Sequence, residues 1–466
     1  MKKTRRAFLQ SAGAVCGAAV SGGCLNLLRP GSAVSHRRKV LDRLNIGFIG
    51  VGGRGAVNVG AAYRAGENIV ALCDMDETAL LAGRESVAER CAGVRLYKDF
   101  RVLFETEKAL DAVFISTPDH MHGVQAAWAM NKGCHVYVES PLVRTLGELR
   151  DFQSRAHASG VVVQMGNQGS AVDEFRNAVE AVASGVIGEV SEAHVWTTRP
   201  VWQQGMNRPE GSDPVPSSID WDLWLGVAPV RPYKENVYHR FNWRGWYDFG
   251  TGALGDGGGH LLNLPFRALN LGAAVAAEAE ELSEPFAETY CKSSKVRFEF
   301  AARGKRPPVK VYWYDGERKP SAERMPQVVA AFGEIPDTGC LLIGEKGVWL
   351  TTDDLGKHHY LALQGEQRIV DAEKHAACAS ISPKGPRVKG QQQEFLDAIR
   401  SGERPSSDMQ HAVPLMESVL VGCVAQRVAG RLEWGSRKGR FTNSPKATEL
   451  IVPVMREGWA YLKQRT

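Results

Sequence analysis

The chain has 466 residues, 44% hydrophobic and 23% charged, with 57 Lys and Arg against 52 Asp and Glu. That profile excludes a disordered or collagen-like chain and leaves room for two or three domains with a cleft between them. Lys2, Lys3, Arg5 and Arg6 hold four of the five surplus positive charges, so the remainder is near neutral and offers no electrostatic footprint for nucleic acid.

Residues 1–24 read MKKTRRAFLQSAGAVCGAAVSGGC, a basic start before an Ala- and Gly-rich stretch too poor in Leu and Ile for a spanning helix. Thr4-Arg5-Arg6-Ala7-Phe8-Leu9-Gln10 resembles a twin-arginine export signal, which implies the twin-arginine machinery as a partner and the periplasm as destination. Cys24 follows Ser21-Gly22-Gly23 and offers a lipid-attachment position, although no Leu or Val stands three residues before it. Residues 25–42 read as a linker. Seven cysteines remain beyond the signal, none in a C-x-x-C pair, so neither a disulfide framework nor a zinc or other metal site is expected. Cys73 and Cys134 read as core residues.

A first domain, 43–168, opens with the apolar run Ile46 to Ile49, then Gly50-x-Gly52-x-x-Gly55 enclosing Gly53 and Arg54, then a helical pattern. A second apolar run, Ile69 to Leu72, leads to Asp74, 19 residues beyond Gly55. In a glycine-rich chain such a motif alone is weak. Here a strand precedes it, a helix follows it and an acid stands at the distance that suits a ribose diol. Gly50 permits the tight turn, Gly52 lets backbone approach a pyrophosphate, Gly55 lets helix and strand pack closely, and helix amides receive the phosphates. Asp74 would repel a 2′-phosphate, so the expected cofactor is NAD rather than NADP; Arg54 faces a phosphate or solvent.

The alternation continues. Ala112 to Ser116 reads as a strand ending in Thr117-Pro118-Asp119-His120-Met121-His122, with a helical stretch from Gly123 to Asn131. His135 to Val138 ends in Glu139-Ser140-Pro141, and Val161 to Met165 in Gly166-Asn167-Gln168. Strands alternating with helices imply a doubly wound parallel sheet, whose ligands gather at the carboxyl ends of its strands. Thr117, Pro118, His122, Glu139, Ser140, Pro141 and Gln168 are therefore candidate cofactor contacts, and Asn167 a candidate substrate contact. Asp119 and His120 face either the nicotinamide ribose or solvent.

Residues 169–466 read as a second domain. Val190 to Thr198 alternates as a strand, and a Pro-, Gly- and Trp-rich insertion runs from Arg199 to about Trp246. Val296 to Ala301, Val309 to Tyr314, Cys340 to Ile343 and Gly347 to Thr351 read as further strands without intervening helices, hence an antiparallel sheet. Gln391 to Arg400 and Ala412 to Gly430 have helical periodicity. Within Asp248 to His260, a helix over 254–264 would set Asp256 and His260 four residues apart on one face; alternatively the glycines form a loop, the helix begins near His260 and the two share no face. In the longer helix the glycines cost about 1 kcal/mol each relative to alanine, understandable where bare backbone must approach cofactor or substrate. Trp243, Arg244 and Trp246 are candidate sugar contacts, whereas Trp221 and Trp224 read as cover for the sheet.

These residues resemble the Gfo/Idh/MocA family of nicotinamide-dependent sugar and polyol oxidoreductases. The resemblance is carried by NIGFIGVGGRG, STPDHMH, KGCHVYVESPL and DFGTGALGDGGGH, with WDLWLG and EFLDAIRSGERP on either side of the last. It implies a Rossmann domain followed by an open, mostly antiparallel sheet, with substrate between that sheet and the nicotinamide. It also implies an Asp-x-x-x-His pair beside the reacting carbon, a cis bond before Pro141 and a homo-oligomer. On this footing His260 is the candidate catalytic base or acid, with Asp256 orienting it or holding a sugar hydroxyl; taken alone, a histidine in a glycine-rich turn is more often structural. One departure stands out: where the family has Glu-Lys-Pro, this chain has Glu139-Ser140-Pro141, and serine is no base near neutral pH.

The expected function is an exported NAD-dependent oxidoreductase acting on a sugar, polyol or glycoside. Two alternatives remain open: a redox-neutral glycoside hydrolase or lyase that oxidises its substrate transiently, and a sugar-binding module whose chemistry lapsed with the lysine.

Overall fold

The computed structural model describes residues 43–462; the stretch read as an export signal, Cys24 and the whole linker, 25–42, lie outside them. Six parallel strands, β1 (Asn45–Ile49), β2 (Asn68–Cys73), β3 (Arg95–Tyr97), β4 (Ala112–Ile115), β5 (His135–Glu139) and β6 (Val163–Gly166), form a sheet in the order β3-β2-β1-β4-β5-β6. Helices α1 (Arg54–Arg64), α2 (Glu77–Val87), α3 (Phe100–Thr106), α4 (Asp119–Asn131) and α5 (Leu146–Ser159) connect them. Every residue of β4 is buried, as expected of a strand covered by helices on both faces. The reversal of strand order beside β1 places the carboxyl ends of β1 and β4 at the usual ligand crevice of a doubly wound sheet.

The second domain begins with α6 (Asp173–Ala183) and β7 (Val190–Trp196), continues through α7 (Trp221–Leu225), α8 (Gly252–Leu261) and α9 (Asn263–Ala268), and then enters β8 (Ala276–Leu282), β9 (Ser294–Phe300) and β10 (Val309–Asp315). After α10 (Pro326–Phe332) come β11 (Gly339–Gly344), β12 (Gly347–Thr351), β13 (His359–Leu363) and β14 (Val370–Asp371). Helices α11 (Gln391–Ser401) and α12 (Met409–Ala425) precede a closing hairpin, β15 (Leu432–Gly435) and β16 (Arg440–Phe441). The ten strands run in the order β14-β13-β12-β11-β7-β10-β9-β8-β15-β16. All neighbours are antiparallel except β7 and β10, which pair in parallel. Strand β9 shows the pattern such a sheet requires: Val296, Phe298 and Phe300 are buried on the core face, while Lys295, Arg297 and Glu299 point the other way.

Helix α12 lies over the core face and packs against α8, so the sheet holds α8 at the mouth of the Rossmann strands. The helix read over 254–264 thus starts two residues earlier and breaks at Leu262. Its glycines face protein rather than ligand. A Cβ on Gly257 would stand 3.0 Å from Trp313, one on Gly258 would stand 3.0 Å from Val419, and one on Gly259 would strike Ser140 Oγ. The missing side chains let α8 sink onto the sheet, α12 and the turn after β5.

The insertion also departs from expectation. Trp221 and Trp224 do not cover the sheet; their rings stack at 4.6 Å and join Tyr238, Trp243, Trp246 and Phe249 in a small core of their own. That core clamps onto the Rossmann domain. Glu77 N donates to Ser218 O at 2.8 Å, Asp220 N to Met75 O at 3.2 Å, and His120 N to Phe249 O at 3.1 Å.

Candidate active site

At the end of β1 the chain must turn beneath β4. Gly50 has φ +80°, and a Cβ there would stand 2.7 Å from Ser116 O, so only glycine makes this turn. A Cβ on Gly55 would strike the Gly50 carbonyl, which is the close helix packing that its place in the motif requires. Helix α1 then starts with Gly53 as its N-cap, lacking any side-chain cap and any acid in its first turn. Its first amides are left to an anionic ligand.

Gly50, Gly52, Gly53, Arg54 and Asp74 line one end of a cavity of about 660 Å³. Asp74 closes β2 with its carboxylate turned toward the same turn, Oδ2 accepting from Val51 N at 2.9 Å and Oδ1 from Asp76 N at 3.0 Å. Burial pushes this carboxyl up, against the pull of those amides.

The middle of the cavity is the row of strand ends. Thr117, Pro118 and His122 line it after β4, Glu139 and Ser140 after β5, and Gln168 after β6. Glu139 is bracketed by Asn58 Nδ2 at 2.8 Å and Gln168 Nε2 at 3.0 Å, and burial raises its carboxyl above the ordinary range. The bond between Ser140 and Pro141 is cis. Ser140 Oγ is buried, with no hydrogen-bond partner among the described residues, and abuts Gly259.

His122 does less to the ligand than its position suggested. Its ring nitrogens lie 2.8 Å from Pro141 O and 2.8 Å from Thr117 O, so it ties two strand-end turns together. Pro141 itself lies behind the cavity wall and contributes that carbonyl.

At the far end stand Trp202, Trp243, Arg199, Arg244, Asp256 and His260. Asp256 and His260 share one face of α8, yet no hydrogen bond joins them. Instead the Asp256 carboxylate sits between two guanidinium groups, Arg244 Nε at 2.9 Å and Arg199 Nε at 3.0 Å. Orientation of His260 by Asp256 is therefore corrected: the carboxylate is turned to the two arginines and makes no hydrogen bond to the imidazole. The half-buried imidazole makes no hydrogen bond with a described residue, and its Nδ1 is enclosed by protein. Burial lowers its pKa below the usual 6.5, with Asp256 opposing that shift, so the ring is neutral at neutral pH.

Two candidate substrate contacts are displaced. Asn167 is fully buried; its Nδ2 donates to Gly259 O at 2.8 Å and its Oδ1 accepts from Asn263 Nδ2 at 3.3 Å, so it fastens α8 to β6. Trp246 has no exposed surface, and its Nε1 donates to Val237 O at 3.1 Å inside the insertion core.

Asp119 and His120 are both buried, which removes the solvent alternative. Asp119 lines the cavity, accepts from Thr251 Oγ1 at 2.7 Å, and is pushed up to about 7 by burial. Ring packing against Trp224 and Phe249 holds His120 in the insertion core. Sequence reasoning missed Asn58, Arg199 and Thr251. Arg199 was within reach, standing just beyond the strand read over Val190 to Thr198.

Residues 44–167 match the NAD-binding Rossmann domain of the GFO/IDH/MocA oxidoreductase family, and residues 171–270 match that family's C-terminal alpha/beta domain. These are Gfo/Idh/MocA domains. The Rossmann domain is NAD-binding, and the uncapped α1 amides, the bare turn at Gly52 and Gly53 and the acid at Asp74 fit that dinucleotide.

A glycosyl hydrolase family 109 protein of Akkermansia muciniphila is 30% identical over 267 residues, which cover 49% of this chain and 55% of that protein. The chain spans about half the length of the curated relatives it matches. Among solved structures, a WlbA dehydrogenase from Bordetella pertussis in complex with NADH and UDP-GlcNAcA has a TM-score of 0.59 at 15% identity, covering 84% of this chain and 98% of that one. An inositol dehydrogenase homolog from Azotobacter vinelandii, complexed with NADH and myo-inositol, has a TM-score of 0.55 at 19% identity, covering 85% and 99%. At these identities the two structures bear on the fold alone, which this chain shares over most of its length.

Proposed function

We propose that this Gfo/Idh/MocA chain is an NAD-dependent enzyme that oxidises an uncommitted hydroxyl of a sugar, polyol or glycoside. The observation that carries the reading is His260: a neutral imidazole on α8, free of protein hydrogen bonds among the described residues, on the wall of the cavity whose other end is the dinucleotide turn. Bound NAD supplies the hydride acceptor. Since Nδ1 is enclosed, Nε2 is the ring nitrogen left to take the substrate hydroxyl proton. Asp256, fixed by Arg199 and Arg244, accepts a neighbouring hydroxyl, and Trp202 and Trp243 offer aromatic faces to the sugar's C–H surface. Ser140 is short and without charge, so the proton passes through His260 alone rather than through a lysine at that position.

A second reading is favoured by one feature. The insertion is hydrogen-bonded across the β2–α2 turn, and His239 and Arg240 each approach Asp76 at 3.3 Å. A cofactor held under this bridge suits an enzyme that oxidises and then re-reduces its substrate, as in redox-neutral cleavage of a glycoside. Purified protein incubated with sugars and aryl glycosides separates the readings by NADH absorbance and released aglycone. NADH formation supports net oxidation; aglycone without net NADH supports the redox-neutral cycle; sugar binding without either product leaves a binding module and overturns both.

Export to the periplasm through the twin-arginine machinery follows from residues 1–24 as a further part of this proposal. Cell fractionation is expected to find the folded enzyme outside the cytoplasm, and an Arg5→Lys/Arg6→Lys variant to retain it inside; unchanged distribution would remove the export signal, and palmitate labelling reads whether Cys24 carries lipid.

A further inference from the structure

The substrate end of the cavity is walled by a chain of alternating charges. Arg244 Nε donates to Asp256 Oδ1 at 2.9 Å, Arg199 Nε to Asp256 Oδ2 at 3.0 Å, and Arg199 Nη2 to Asp354 Oδ2 at 2.6 Å. The remaining Arg199 nitrogen, Nη1, lies 3.4 Å from Thr197 Oγ1, so each of its three nitrogens faces an acceptor. Arg244 Nη1 donates to Phe241 O at 3.2 Å, and its guanidinium lies 4.3 Å from the Trp243 ring centroid. Two guanidiniums thus meet two carboxylates, and Asp119 adds a third acid to the same cavity.

Asp354 is not part of the cavity wall. It sits in the loop between β12 and β13, which its neighbour Asp353 stiffens by accepting from Leu355 N, Lys357 N and His358 N, each at 2.9 Å. From there it reaches the outer edge of Arg199.

The other cations of the cavity are at the dinucleotide end. Lys98 pairs with Glu77 and Arg240 with Asp76, while Arg54 opens α1 beside the phosphate-binding turn. Among the described residues the cations near His260, Arg199 and Arg244, are each paired with a carboxylate, so a carboxylate or phosphate on the substrate would shed water with Asp256 repelling it and no unpaired cation to offset the cost. Hydroxyl groups suit the same wall, since they can donate to a carboxylate and accept from the free edge of Arg244.

We propose that this site selects uncharged polyhydroxy substrates over sugar acids and sugar phosphates, and that Asp354 sets the selectivity by neutralising Arg199 from behind the wall. The proposal rests on the reading of the cleft as a sugar oxidoreductase site and names its substrate class. Asp354 acts through Arg199, so it is a positioning and specificity residue rather than a catalytic one.

The test uses the NAD-loaded full chain and calorimetric titration with two matched pairs, glucose against glucuronate and myo-inositol against myo-inositol 1-phosphate. In the wild type the neutral member of a binding pair is expected to bind at least about tenfold tighter. Asp354→Asn is expected to tighten the anionic member about fivefold and move the neutral one less than about twofold, since the released guanidinium is partly exposed. Asp354→Ser serves as a second variant, with NAD affinity as the folding control. Equal or tighter binding of the anionic member by the wild type overturns the proposal without any variant, and parallel changes in both members overturn the role of Asp354. Failure of every probe to bind while NAD still binds would instead sink the sugar-site reading itself.

Discussion

His260→Ala is expected to lower hydride transfer by roughly 10²–10⁴-fold, the usual worth of a positioned general base, while NAD affinity changes less than about twofold. The asymmetry follows from geometry. His260 stands on α8 at the substrate end, whereas the contacts that fit the dinucleotide come from the turn after β1 and from Asp74. Single-turnover NADH formation reads the first quantity and fluorescence titration with NAD the second. The same residue fixes the pH response. A base works in its neutral form, and burial lowers the imidazole pKa below 6.5, so activity should hold through neutrality and fall only as pH drops below the ordinary histidine range. A wild-type acid limb centred above pH 6.5, or a His260→Ala enzyme with undiminished turnover, would assign the proton to another group; Asp119, raised to about 7, is the first to examine.

Asp74→Ala should weaken NAD by about 100-fold or more. The carboxylate holds the Val51 amide in the glycine turn and the Asp76 amide in the β2–α2 turn, and deleting it leaves two enclosed donors unpaired at about 1–3 kcal/mol each, one of them in the turn that must cradle the pyrophosphate. It also removes the acceptor for the ribose hydroxyls. NADP, which gains nothing from that acceptor, should lose less, so the ratio of the two affinities narrows toward one. An equal loss for both dinucleotides would show that the acid only shapes the backbone around it, and a loss below about threefold would remove it from dinucleotide binding altogether.

The Rossmann half was legible because its signals are local. A buried parallel strand reads as an apolar run, a phosphate-binding turn reads as glycines at fixed offsets, and Asp74 follows at a fixed distance. The second sheet was legible where strands alternate cleanly, as in Val309 to Tyr314. It was silent at β8, Ala276–Leu282, whose acidic outer face and alanine inner face carry little hydrophobic contrast, and at β14 and β16, which have two residues each.

Site geometry was the harder part. Spacing on one helix puts Asp256 and His260 on one face, but it cannot say that arginines from two other segments would take the carboxylate first. Asn167 stands at a strand end like its neighbour Gln168, yet one faces the cleft and the other is consumed in fastening α8. Asp354 had no signal at all, because its meaning depends on a contact with Arg199, 155 residues earlier.

The single parallel pairing in the second sheet has a consequence for how such an enzyme changes its diet. Because β7 and β10 lie side by side and run the same way, the chain leaving one must travel the length of the domain before it can enter the other. That detour carries Arg199, the tryptophan-rich segment and α8, while both of its anchor points stay inside a continuous ladder. Lengthening or exchanging the stretch from 199 to 246 therefore leaves the ladder's register alone, since closing a longer loop costs only slowly more entropy. The stretch from 199 to 246 is thus a passage that can be exchanged without shifting the strands that hold it, whereas α8 and the Asp354 loop stay with the ladder.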